Sequence, residues 1–298
     1  MSSQQVRSAL LALFLCLSVG PVLADEPMRF IYHRDPSSDD SRNAYAWRLL
    51  GAALDHTRGR YGDYVLAPSD IADERPNAAS LLHGEGRISV SVFTPRIEYA
   101  GKLIPVRIPI DRGVLGYRLL LIHAGDQAEF EAVRGLDDLK QVRFGALASW
   151  VDVAVMRQAG LTVVTGDSFD GLFKMLSARR FDVLSRGAGE IEHELETRGK
   201  TLPDIVLERT LVLHYPLPVY FWFRDDREGR RMAERVRTGL RAMLADGSFD
   251  ALFHQEFDPL LAPLDLGHRR IIELDNPLLP AGEPLMEPSL WYVPQVKP

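Results

Sequence analysis

The sequence predicts an α/β protein built as two hinged lobes, each a mixed sheet flanked by helices. Three observations predict it. Residues 29–93 alternate short apolar strands with helical stretches, which favours a sheet covered by helices. A second alternating unit begins at Leu136 and runs to Arg198. Extended apolar segments near Leu119 and Val219 join the two units, so the chain leaves the first lobe and later returns to it. A double crossover of this kind is the layout of a clamshell with its ligand in the gap between the lobes.

The elements follow in order. Residues 29–32 open as a strand and run into a polar loop over 33–42. Tyr45, Leu49, Ala52 and Ala53 then recur at helical spacing. Residues 64–66 read as a strand and 77–82 as a short helix stopped by Gly84 and Gly86. In 87–93, Ile88, Val90 and Val92 alternate with Ser89 and Ser91, a strand with one apolar face. Extended segments 103–110 and 114–122 flank the turn at Asp111-Arg112-Gly113. Strands at 142–147 and 161–164 bracket a helix over 152–158. Ser168 is placed to cap a helix over 169–178 with the apolar stripe Leu172, Met175 and Leu176. Residues 181–184 form the next strand and 191–198 a helix. The apolar stretch 211–223 carries Pro216 and Pro218, which an interior strand does not tolerate throughout. A basic amphipathic helix spans 228–244, and Ser248 is expected to cap another that runs through Phe257.

Composition bounds the function. The 298 residues are 46% hydrophobic and 26% charged, an ordinary globular mixture. The net charge of -6 argues against a broad footprint on nucleic acid or anionic lipid. At the N-terminus Arg7 precedes an apolar run over 9–19, followed by Val22-Leu23-Ala24, small residues where a signal peptidase cuts. The run is about 11 residues, short of the roughly 20 needed to span a bilayer. Cleavage after Ala24 removes Arg7, so -6 becomes -7, and removes Cys16, the one cysteine. The exported chain is then expected in the periplasm, with no disulfide, catalytic thiol or thiolate metal site. Cys16 is a poor lipid anchor, because Leu15 precedes it and the apolar run continues past it. The expected organisation is a leader over 1–24, lobe one over 25–118, lobe two over 119–218, and a return to lobe one with a C-terminal strap over 219–298. The strap, from Leu274, is rich in proline and should pack extended on lobe one.

Short stretches carry a resemblance. Ala245-Asp246-Gly247-Ser248-Phe249-Asp250-Ala251-Leu252, Arg179-Arg180-Phe181-Asp182-Val183 and Ser89-Val90-Ser91-Val92-Phe93-Thr94-Pro95-Arg96 occur in this order, with 136–145 before the second. Together the set resembles the type II periplasmic binding proteins, nearest the family-3 solute-binding proteins for polar amino acids, over most of 29–258. The resemblance implies that Arg96 clamps a ligand carboxylate and that Ser89, Ser91 and Thr94 lie beside it. A guanidinium fork suits that task, since it pairs both carboxylate oxygens at once.

Lobe two departs from the family pattern. Where those proteins hold an aspartate for the ligand's amino group, this chain reads Ser185-Arg186-Gly187; where they read Gly-Thr-Thr, it reads Ser149-Trp150-Val151. Arg186 then either meets a second anionic group or forms an ion pair, and Trp150 either stacks on a ligand or packs in the core. Arg34, with Asp35 and Arg42, lies in a ligand loop or a solvated one. The implied ligand is a small anionic or amino-acid-like solute, and the implied partner a membrane transporter of the ABC type or a sensor. A monomer without cofactor, metal or nucleic acid is expected.

Other chemistry finds little support. There is no Walker A, dinucleotide glycine fingerprint or His-Glu-x-x-His. Gly166-Asp167-Ser168-Phe169-Asp170-Gly171 misses nucleophile-elbow spacing by one residue. Glu190, Glu192, Glu194 and Glu196 read as a solvated acidic helix face. Two rivals stay open. One is a dehydratase-like enzyme on the same fold, for which Asp152 is the available acid. The other is a ligand-free docking or signalling relic, marked by a gap filled with its own side chains.

Overall fold

A parallel strand pair needs a crossover, and the first 72 residues supply one. Strand β1 (Met28–Arg34) pairs in parallel with β2 (Tyr64–Ala72), Phe30 opposite Leu66. Between them lie α1 (Ala44–Asp55), burying Tyr45, Leu49 and Ala53, and the short α2 (Arg58–Tyr61). The computed structural model describes residues 26–34, 43–72, 78–83, 87–198, 201–283, 285 and 287–296. The leader with Cys16 and the loop carrying Asp35 and Arg42 lie outside the described residues, as does the side chain of Arg34. After α3 (Ala78–His83), only the end of the alternating stretch forms a strand, β3 (Ser91–Phe93). Upstream, Ser89 N and Val90 N both donate to Ile31 O, which lays the segment along β1. Strand β4 (Leu103–Val106) is shorter than the expected 103–110, because Ile108 N turns back onto Val106 O and Pro109 has no N–H.

The second unit is one sheet with helices on both faces. In chain order it runs β5 (Tyr117–His123), α4 (Gln127–Ala132), α5 (Leu136–Leu139), β6 (Arg143–Leu147), α6 (Val151–Gln158), β7 (Thr162–Gly166), α7 (Phe169–Ser177), β8 (Val183–Gly187), α8 (Ile191–Arg198), β9 (Ile205–Leu207) and β10 (Leu211–His214). Strand β5 is buried at every position and lies between β8 and β10, antiparallel to both. The parallel strands β6, β7 and β8 alternate with helices as predicted. Ser168 caps α7, its hydroxyl accepting from Gly171 N at 3.2 Å.

The apolar stretch 211–223 is divided at its prolines. Strand β10 stays in lobe two, and β11 (Tyr220–Arg224) enters the first lobe between β3 and β4. Helix α9 (Arg227–Asp246) packs on α1 and is followed by α10 (Ser248–Leu261). The joint departs from expectation. Gly247, at φ 82°, closes one helix and opens the next, and Ser248 is already the first helical residue. Phe249 of α10 belongs to the core of lobe one and Phe253 to that of lobe two, while Phe257 packs on both. Strand β12 (Arg270–Glu273), read from sequence as part of the return to lobe one, instead pairs with β10 at the edge of the lobe-two sheet.

Asp111 ties the two crossovers together. Its carboxylate accepts from Gly113 N at 3.0 Å, Leu115 N at 3.1 Å and Val219 N at 3.3 Å, and Ile110 N donates to Val219 O. Burial raises this carboxyl to about 6, against the three amides that favour its ionised form. Below that value the folded chain binds a proton that the unfolded chain, at about 3.9, does not yet bind. The contribution of Asp111 to stability therefore rises as pH falls from about 6 to about 4, by up to ~3 kcal/mol. Replacing Asp111 with Asn should remove this segment of the stability–pH curve in urea denaturation at pH 4 to 7. An unchanged slope would show that Asp111 does not carry it.

Candidate functional site

Ligands in open α/β sheets sit beyond the carboxyl ends of parallel strands. In lobe two those ends are Leu147 of β6 and Gly187 of β8, leading to the turns that start α6 and α8. Arg118 of β5 stands opposite Gly187, and Leu119 stands opposite Arg186. Side chains of adjacent strand positions point to opposite faces, so the two arginines occupy the two faces of one sheet edge.

Arg186 is enclosed. Its Nε and Nη2 donate to the two Glu194 oxygens at 2.7 and 2.5 Å, and Glu190 Oε2 lies 3.1 Å away. The Trp150 ring covers the guanidinium at 4.6 Å and the Phe169 ring at 5.0 Å, leaving the side chain 5% exposed. Burial alone would lower its pKa, but Glu190 and Glu194 raise it and hold the charge. On the other face Arg118, 3% exposed, places Nη2 2.6 Å from Asp152 Oδ1 beside buried Tyr215. The Tyr215 hydroxyl is pushed well above its usual range by its burial. Lobe two thus gathers two guanidiniums and three carboxylates, those of Asp152, Glu190 and Glu194, at the carboxyl end of its parallel strands.

These positions correct the sequence reading of lobe two. Arg186 forms the ion pair that the sequence left as one of two alternatives, and it lies buried instead of at the surface, because a charge at this depth needs a partner. Glu194 is no solvated helix position. It shares a buried face with Ile191, three residues back, and that spacing is the signal that could have found it. Trp150 is half-buried, covers Arg186 and packs on the lobe-two core. The pairing of Arg118 with Asp152 was also missed, although a lone arginine beside the apolar run Leu119–Ile122 calls for a buried partner.

Lobe one presents Arg96 directly after β3. Its backbone is extended, and its Nη2 donates to lobe two at Ser149 O, the residue before Trp150, at 2.8 Å. Its Nη1 lies 3.7 Å from the exposed Glu98, a loose contact, and the side chain is 30% exposed. Ser91 is buried on β3 opposite Trp222, and its hydroxyl has no hydrogen-bond partner among the described residues. Ser89 stands apart from that group, since its Oγ accepts from Ile31 N and donates to Arg29 O, fastening the segment to β1. Thr94 is half-buried beside Pro95, and Arg34 ends β1. Of the candidates, Arg96 meets the Ser149-Trp150 turn, and Trp150 meets Arg186.

No protein-family model matches the chain, and no curated protein matches it. Solved structures do match. An amino acid ABC transporter substrate-binding protein from Streptococcus pneumoniae, bound to L-arginine, superposes with TM-score 0.52 at 13% identity, covering 78% of this chain and 96% of that one. A Bacillus subtilis protein gives 0.51 at 16% identity, covering 84% and 96%. A Salmonella typhimurium periplasmic binding protein described for high arginine specificity gives 0.50 at 12%, covering 77% and 99%. The fold is that of the two-lobed periplasmic binding proteins. At these identities the likeness is one of fold alone.

Within this periplasmic-binding-protein-like fold, no group of three or more His, Cys, Asp or Glu among the described residues is placed to hold a metal ion. No helix among them is long and apolar enough to cross a membrane. The enclosure of Arg186 makes a testable demand. Glu194→Leu alone should destabilise the protein by about 3–5 kcal/mol, and Arg186→Met added to it should recover most of that loss. Urea midpoints of the singles and the double check this; losses that simply add would contradict the pairing.

Proposed function

We propose that this chain is an exported, non-catalytic solute-binding protein that closes on a small carboxylate-bearing or amino-acid-like solute and presents it to a membrane transporter or sensor. The observation that carries the reading is Arg96. It reaches from lobe one to the turn before lobe two's α6, and its close partner there is a neutral carbonyl. A guanidinium so placed gains a charge-assisted, two-point partner when a carboxylate enters. The buried Ser91 hydroxyl on the strand before it supplies a further polar group on the same lobe. The fold supports a binding role, since the Streptococcus pneumoniae protein is bound to L-arginine and the Salmonella typhimurium protein is described by its arginine specificity.

Lobe two favours a non-catalytic reading. Asp152, the acid considered for an enzyme, is buried against Arg118 and so is poorly placed to exchange a proton with a solute. The same enclosure supports a second reading, a docking protein that takes no small molecule. In that reading Arg118 and Arg186 with their own carboxylates fill the lobe-two side of the gap.

The two readings part in a thermal-shift series with L-arginine, L-glutamate, L-glutamine and succinate. At 100 times its Kd a bound solute adds ~2.7 kcal/mol, so the solute-binding reading expects a Tm rise of several degrees with at least one of them. Arg96→Ala should abolish that rise while the unliganded Tm stays within about two degrees of the parent, as expected for a surface position. A rise retained in full by Arg96→Ala removes Arg96 from the site. No rise with any of the four favours the docking reading.

A further inference from the structure

The chain after β12 does not simply cover lobe one. Leu274 N donates to His214 O at 2.7 Å, inside lobe two. Asn276 Nδ2 then donates to Pro216 O at 2.9 Å on the second crossover, and its Oδ1 accepts from Leu278 N at 3.0 Å, a turn that fixes the path. At Leu278 the strap belongs to both lobes. Its side chain packs on the lobe-two core, while its carbonyl accepts from Ile97 N of lobe one at 3.1 Å. Farther on, Glu283 accepts from Tyr220 OH and lies beside Arg107, and Leu290 is buried in the lobe-one core. Trp291 lies so close to Gly113, at φ 73°, that a Cβ there would meet its ring at 2.5 Å. Tyr292 finally returns to the crossover and lobe two. Its N–H donates to Arg112 O at 2.8 Å, its carbonyl accepts from Tyr117 OH at 3.0 Å, and the two rings meet edge to face.

We infer that the described residues of 274–296 form a fastening strap, a connection between the lobes beyond the crossovers and α10 that limits how far they part, and that Leu278 positions Arg96 by holding the next residue. Two hinged bodies joined only at their crossovers rotate freely about them. A further tie away from that axis must break first. Here the tie sits one residue from Arg96, so the arginine's contact with Ser149 and the strap's contact with Ile97 oppose opening at one place. The inference rests on the strap's own contacts and holds whether or not a solute binds.

The test measures lobe separation without any solute. In a Cys16→Ser background, spin labels at Arg60→Cys and Lys174→Cys report the distance between exposed sites of lobes one and two by pulsed electron resonance. Ile97→Pro removes the N–H that Leu278 accepts. Arg96 before it is already extended, as a residue preceding proline must be, and Ile97 is the first residue of a 3-10 turn with its side chain 56% exposed. Tyr117→Phe removes only the hydroxyl that Tyr292 accepts from. Each lost bond should raise the ratio of open to closed molecules about fivefold, and both together about 25-fold. The parent should give one narrow distance, and the double variant a second, longer population with unchanged far-ultraviolet circular dichroism. If the double variant does not fold, Ile97→Pro alone carries the same reading. A parent already spread over long distances, or variants that coincide with a narrow parent, overturns the inference.

Discussion

A guanidinium cannot be left unpaired inside a protein, and that rule organises the carboxyl end of the lobe-two sheet. Strands β5 and β8 each place an arginine there, on opposite faces of one sheet. Arg118 fixes Asp152 at the start of α6, and Arg186 fixes Glu190 and Glu194 where α8 begins. Helix α6, helix α8 and the Trp150 ring are therefore pinned to the sheet by charge as well as by apolar packing. The aromatic cover over Arg186 excludes water and strengthens those pairs. Lobe two pairs each of these guanidiniums with a carboxylate of its own, while Arg118 Nε and the Ser185 and Tyr215 hydroxyls have no hydrogen-bond partner among the described residues. Lobe one sends Arg96 across to lobe two with a neutral carbonyl as its close partner.

This asymmetry bears on how the two halves move. The crossovers are locked to each other through Asp111 and the Ile110–Val219 bond, so they bend as one unit. Helix α10 adds a shared apolar joint, with Phe249 in one core and Phe253 in the other. The two halves are thus joined by the backbone crossings, by a helix that serves both cores, by the strap at Leu278 and by the Arg96–Ser149 contact. In the proposed function, an entering solute replaces the Arg96–Ser149 contact with a stronger one, that of a carboxylate on a guanidinium.

Much of this architecture was legible because local rules and tertiary demands agree. The strand–helix alternation, the Ser168 cap and the two lobes follow from period and propensity. So does the division of 211–223, where Pro216 and Pro218 cannot lie in a sheet interior. What escaped depends on partners distant in sequence. Ser89 alternates on the same face as Ser91, but its hydroxyl is drawn to β1 by Ile31 and Arg29, some 58 to 60 positions away. Arg186 gave the right residue type at the right edge, and only the fold shows that Glu194 reaches back to it. The strap's destination was equally hidden, since β12 is short and its pairing with β10 joins residues 59 positions apart.

In the proposed function Arg96 is the group that recruits an acid between the lobes. Native mass spectrometry of the protein purified without unfolding tests this most directly. The account predicts a fraction of molecules heavier than the chain by the mass of one small acid, and loss of that fraction in Arg96→Ala. Bare chain mass in every molecule, after purification from cells and after mixing with small acids, would contradict it.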